Sequence, residues 1–90
     1  MKHVSIHIAG KVQGVFFRAS TKEKADEFAI KGTVRNNADG TVSVQAEGDD
    51  AAIDKFIEWC RQGPPNARVE HCEVVDIVSS GNFKNFSIVR

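Results

Sequence analysis

The sequence has little with which to hold a polyanion, a metal or a membrane. Its twelve lysines and arginines are cancelled by twelve aspartates and glutamates, so the formal net charge is zero. Domains that grip a nucleic-acid backbone carry a clear basic excess, so no nucleic-acid partner is expected. The same balance argues against a polybasic membrane-surface role. No apolar run approaches the ~18 residues of a membrane helix. MKHVSIHIAG at the start is too short and too polar for a secretory signal, which leads us to expect a cytoplasmic protein. Cysteine occurs only at Cys60 and Cys72, with no CxxC pair and no His and Cys set at zinc-finger spacing, so no structural zinc site is expected. Two such cysteines are read as free, mostly buried thiols. No second domain is expected within these residues, because 90 residues suffice for one compact domain (1–90) with a hydrophobic core and are too few for two.

What is present is a clear order of elements. Residues His3 to Ala9 alternate, with Val4, Ile6 and Ile8 on one side and His3, Ser5 and His7 on the other, as in a half-buried strand. A helical pattern follows, with Phe17, Thr21, Ala25 and Phe28 on one face, capping-box spacing at Ser20 and Glu23, and Gly32 as the stop. Phe17 to Ala19 fit either the loop or the helix. Thr33 to Asn36 and Thr41 to Gln45 read as a hairpin around Asp39-Gly40. Asp49 or Asp50 then caps a second helix with Ile53, Phe56, Ile57 and Cys60 as its apolar stripe and Trp59 packing at its edge, closed by Gly63. Val69 to Val78 is a fourth strand, and Phe86, Ile88 and Val89 form a short last one. The expected fold is α+β, a ferredoxin-like βαββαβ sandwich: an antiparallel sheet, two helices on one face and a short terminal strand. That fold hosts many functions and names none.

The informative segment is GKVQGVFFR, Gly10 to Arg18, between the first strand and the first helix. Its two glycines free the backbone to turn N–H groups inward, and the helix start adds unpaired N–H groups and a positive dipole end. Such a loop can cradle an anion. Arg18 at its end offers a planar fork of donors that fits a phosphate bidentately. Val15 after Gly14 excludes a Walker loop. Taken alone, the segment reads equally as a tight turn followed by a surface arginine.

The second segment, GTVRNNADGTVSVQAEG from Gly32 to Gly48, shifts that balance. Together the two segments resemble the two sequence patterns of the acylphosphatase family, small enzymes that hydrolyse the carboxyl-phosphate bond of acyl phosphates. Gly10, Val12, Gln13, Gly14, Val15, Phe17 and Arg18 match the first pattern. Gly32, Val34, Arg35, Asn36, Gly40, Val42 and Gly48 match the second, and the closing Asn85-Phe86-Ser87-Ile88 also looks like that family. Thr33 departs, standing where the family usually has an aromatic.

The resemblance implies that the backbone N–H groups of Gln13, Gly14, Val15, Phe16, Phe17 and Arg18, with the Arg18 guanidinium, bind the phosphoryl group. It also implies that the Asn36 amide holds the attacking water. These roles suit the residue types: fixed donors stabilise charge on a phosphoryl group in transfer. A neutral amide can orient water but cannot take its proton, and the family reading lets the substrate phosphate take it. Asn37 is the rival for the water, and the motif favours Asn36 with Asn37 as a turn residue. A carboxylate is a good leaving group, so the expected enzyme needs no metal and no cofactor, and acts as a monomer on acyl phosphate, releasing inorganic phosphate. His3, His7 and His71 are read as solvent-facing or packing residues. Lys11 and Arg35 are read as local positive potential or solvated charges, and Phe16 and Phe17 as core anchors.

A different class of reading is a non-catalytic ferredoxin-like module that binds an anion or small molecule. RNA-recognition domains of this order carry aromatics on their central strands, and Thr41 to Gln45 has none. Metal-carrying relatives of the fold need a CxxC in the first loop, which here has no cysteine.

Overall fold

A computed structural model describes residues 1–78 and 83–89. The elements are β1 (Lys2–Lys11), α1 (Phe17–Glu27), β2 (Lys31–Asn36), β3 (Val42–Gly48), α2 (Asp50–Gln62), β4 (Arg68–Asp76) and β5 (Phe86–Val89). The sheet order is β4-β1-β3-β2-β5. The first four strands pair antiparallel as expected, while β5 joins β2 in parallel, with Val34 opposite Ile88. The sheet is therefore mixed rather than wholly antiparallel. No helix among the described residues is long and apolar enough to cross a membrane.

The core lies between the sheet and the helices because strand side chains alternate. Val4, Ile6, Ile8, Val34, Val42, Val44 and Ala46 are sealed from solvent, and Ile53, Phe56 and Cys60 meet them from α2. Phe17, Thr21 and Ala25 form the buried face of α1, the spacing read from the sequence. Cys60 is buried and Cys72 half-buried, both as free thiols, and burial raises the pKa of each.

Two local expectations are corrected, and His3 takes the packing role of the two read for it. Helix α1 starts at Phe17, with Phe16 in the N-cap position and no side-chain cap, so Ser20 and Glu23 do not form the capping box. The helix ends at Glu27 and is closed by Ala29, not Gly32: Ala29 adopts φ 57°, and the bonds Ile30 N to Ala25 O (2.8 Å) and Ala29 N to Asp26 O (3.2 Å) make a Schellman motif. Gly32 lies inside β2. His3 does face away from the helices, yet it is buried. It packs edge-on to Phe83 (5.6 Å between centroids), with its Nδ1 3.8 Å from Glu47 Oε2.

Candidate active site

Strand β1 delivers the chain to one end of the sandwich, where residues 12–16 turn into α1. The two loop glycines divide the labour. Gly10 sits at a β-bulge against β4, where a Cβ would collide with the Arg68 carbonyl, so it serves the sheet edge. Gly14, at φ 74° with open space where a Cβ would stand, turns the loop itself. Phe16 follows at φ 61°, ψ 25°, a left-handed conformation that costs a bulky residue on the order of 1–3 kcal/mol.

The amide hydrogens of Gln13, Gly14, Val15, Phe16, Phe17 and Arg18 have no protein acceptor among the described residues; the first helical bond is Ser20 N to Phe16 O. A run of unpaired N–H groups at a helix start is electrostatically an anion site. Arg18 is half-buried on the first turn, and its guanidinium has no ion pair or hydrogen bond among the described residues.

Asn36 comes to the same place from β2. It shares the helix-facing side of the strand with Val34, two residues earlier, and as the last residue of β2 it stands at the open end of the core. Its Oδ1 is shielded from solvent and has no hydrogen-bond partner, a costly state unless a ligand or water completes it. Asn37 points elsewhere. Its Nδ2 donates to Thr41 Oγ1 (2.9 Å) and Ser43 Oγ (2.7 Å), and its N–H to the Thr41 carbonyl (2.8 Å), so it is occupied in the hairpin turn. Asp39 closes that turn by accepting from Thr41 Oγ1 (2.6 Å) and N (3.1 Å), bonds that lower its pKa.

Loop and hairpin are tied by one side chain. Gln13 donates both hydrogens of its amide, to the carbonyls of Asn37 (2.8 Å) and Thr41 (3.0 Å), so the anion loop and the strand end bearing Asn36 are held in register. Between them lies a cavity of about 340 Å³ lined by Val12, Gly14, Phe16, Phe17, Arg18, Ala19, Asn36 and Ile88. Arg18 and Asn36 are thus brought together, while Lys11, Arg35, His7 and His71 are exposed and Thr33 half-buried, none of them lining it.

Phe16 and Ile88 depart from the sequence reading. Phe17 is the core anchor expected, 2% exposed and stacked obliquely on Trp59 (5.7 Å), but Phe16 is 80% exposed at the cavity rim. Adjacent residues at a loop-to-helix junction cannot both face the core once one of them is left-handed. Ile88 was read only as strand; its two-residue spacing from Phe86, which is in the core, is the signal that puts both on the helix-facing side.

Known proteins resemble this chain over nearly its whole length. A family model described as Acylphosphatase matches residues 4–88. The chain is 46% identical over 90 residues to an acylphosphatase of Methylococcus capsulatus, covering all of this chain and 98% of that relative. It is 50% identical over 90 residues to one of Pyrobaculum aerophilum, covering 99% of this chain and 95% of the relative. Its fold superposes on the crystal structure of acylphosphatase from Bacillus subtilis with a TM-score of 0.96 at 36% identity, with all of both chains covered.

Proposed function

Because this chain belongs to the acylphosphatase family and is an enzyme that hydrolyses the carboxyl-phosphate bond of acyl phosphates, we propose how its residues divide that work. The N–H groups of Gln13 to Arg18 and the Arg18 guanidinium hold the phosphoryl oxygens. The Asn36 amide holds a water in line with the scissile bond. The water oxygen attacks phosphorus, the bond from phosphorus to the acyl oxygen breaks, and its electron pair leaves with the carboxylate. A water proton passes to a phosphoryl oxygen, since Asn36 cannot accept it. The products are a carboxylate and inorganic phosphate.

The observation that carries this reading is the convergence on one cavity of three unmet demands. They are the acceptor-free amides of a loop whose Gly14, Phe16, Phe17 and Arg18 line that cavity, a guanidinium without a partner among the described residues and a shielded Asn36 oxygen without a donor. A phosphoryl group and a water satisfy all three. Donors fixed before the reaction need not reorganise as charge moves toward the leaving carboxylate, which is how such sites lower a barrier. The carboxylate is stable enough to leave without a Lewis acid, so the reaction proceeds without metal or cofactor. The charge balance offers nothing to nucleic acid or to a membrane surface. We further propose a cytoplasmic monomer.

Hydrolysis of benzoyl phosphate in the presence of a chelator is the test. Acceleration over buffer that the chelator leaves unchanged is the expected result, with inorganic phosphate as a competitive inhibitor. Activity that disappears on chelation and returns with a divalent ion would overturn the metal-free mechanism.

A further inference from the structure

We propose that Phe16 and Ile88 form the subsite for the acyl group, and that the preferred substrates are acyl phosphates with an aromatic or bulky apolar acyl part. This rests on the assignment of the phosphoryl group to the Gln13 to Arg18 loop. The starting point is a residue whose placement neither packing nor backbone preference explains. Phe16 is held in the left-handed region, where a bulky side chain is strained, and with its ring 80% exposed it returns little burial for that strain. A glycine or asparagine would satisfy the backbone there at lower cost. The left-handed turn does, however, lift the ring out of the core and onto the rim of the cavity that holds Arg18 and Asn36.

Ile88 supplies apolar surface at the same cavity. It sits on β5 opposite Val34, two residues ahead of Asn36 on β2, and remains 38% exposed. The lining is therefore polar where Gly14, Arg18 and Asn36 meet and apolar at Val12, Phe16 and Ile88. An acyl phosphate has the same division, a charged phosphoryl group joined through one oxygen to a carbon body. With the phosphoryl oxygens on the loop amides, the acyl part emerges beside the residues that make the loop. A flat aromatic acyl group can stack on Phe16, whereas an acetyl group is too small to cover it.

The experiment compares kcat/KM for benzoyl phosphate and acetyl phosphate in the wild type, in Phe16→Asn and in Ile88→Ser. Asparagine tolerates the left-handed backbone, so the first variant keeps the loop path while removing the ring. The ratio of the two kcat/KM values cancels the fraction of active protein, and comparing a variant's ratio with that of the wild type cancels the intrinsic reactivity of each leaving group. We expect each variant to lower the wild-type ratio, by about tenfold for Phe16→Asn and less for Ile88→Ser. An unchanged ratio in both variants, with acetyl phosphate still hydrolysed, would overturn the subsite and leave the phosphoryl assignment standing. Failure of the wild type to hydrolyse either compound would overturn both. Should Phe16→Asn not fold, Ile88→Ser decides by the same ratio.

Discussion

Arg18 and Asn36 occupy one cavity for different physical reasons, and their substitutions separate accordingly. A lysine at position 18 keeps the charge but replaces a planar fork with a single point of donation. Arg18→Lys is expected to lose on the order of 10² or more in kcat/KM, together with inhibition by inorganic phosphate; wild-type turnover in that variant would remove Arg18 from its role. Asn36→Ala takes away only the water's anchor, so turnover falls by on the order of 10² while phosphate still inhibits, because a misplaced nucleophile costs rate rather than ground-state affinity. Asn37→Ala is the contrasting case. Its side chain bonds Thr41 and Ser43, so the loss appears chiefly in thermal stability, and a turnover defect as deep as that of Asn36→Ala would mean that the two asparagines had been assigned in the wrong order. In the sequence the two were told apart by the family motif, which favours Asn36, and by the turn position of Asn37, and the bonds of Asn37 to Thr41 and Ser43 fit that turn role. The direction of Phe16 was not legible there. Two adjacent phenylalanines look alike in a hydrophobic pattern, and only a left-handed φ at the first of them turns its ring outward.

Elements set the distances between such residues, and here a loop and a hairpin from distant parts of the chain must hold one geometry. Gln13 supplies the tie, with both hydrogens of its amide on hairpin carbonyls. Gln13→Met preserves length and removes both donors, and we expect about a tenfold fall in kcat, the scale of a sub-ångström misplacement of reacting groups. In an Asn36→Ala background the same change should cost little, because there is no longer a held water for the tie to position. Full additivity of the two losses would show instead that Gln13 acts through the phosphate loop alone. The boundaries of α1 carry the second prediction at this scale. Sequence reading expected a capping box at its start and a glycine at its end. The molecule uses left-handed Phe16 and left-handed Ala29, because the tertiary path of the loop and of β2 fixes those backbones regardless of local preference. Ala29→Gly should accordingly stabilise the protein by up to about 1 kcal/mol, read as a higher Tm, and a lower Tm would mean that the Ala29 methyl contributes packing worth more than the strain.

At the scale of the whole molecule, the order of strands and helices was legible because alternation and helical stripes recur along nearly the entire chain. The parallel seating of β5 was not, because a short terminal strand carries no signal for the edge it will join. The architecture also couples the site to the core. The loop that offers amides to phosphate ends in Phe17, which packs on Trp59 of α2, and α2 carries Cys60 with no exposed surface. Burial pushes the Cys60 thiol pKa far above its ordinary value, so a thiol reagent reacts with it only after the core opens. If that opening also dismantles the loop, a ligand bound to the loop must suppress it by mass action. Inorganic phosphate at about 100 times its Kd stabilises the closed state by about 2.7 kcal/mol. In a Cys72→Ser variant, Cys60 should then be labelled by a disulfide reagent about 100-fold more slowly with that phosphate present, provided reclosing is faster than labelling. The half-buried Cys72 on edge strand β4, monitored in a Cys60→Ala variant, should be slowed far less. Labelling of Cys60 that ignores phosphate, while phosphate still inhibits turnover, would show that α2 opens as a local unit and that the site and the core are energetically separate.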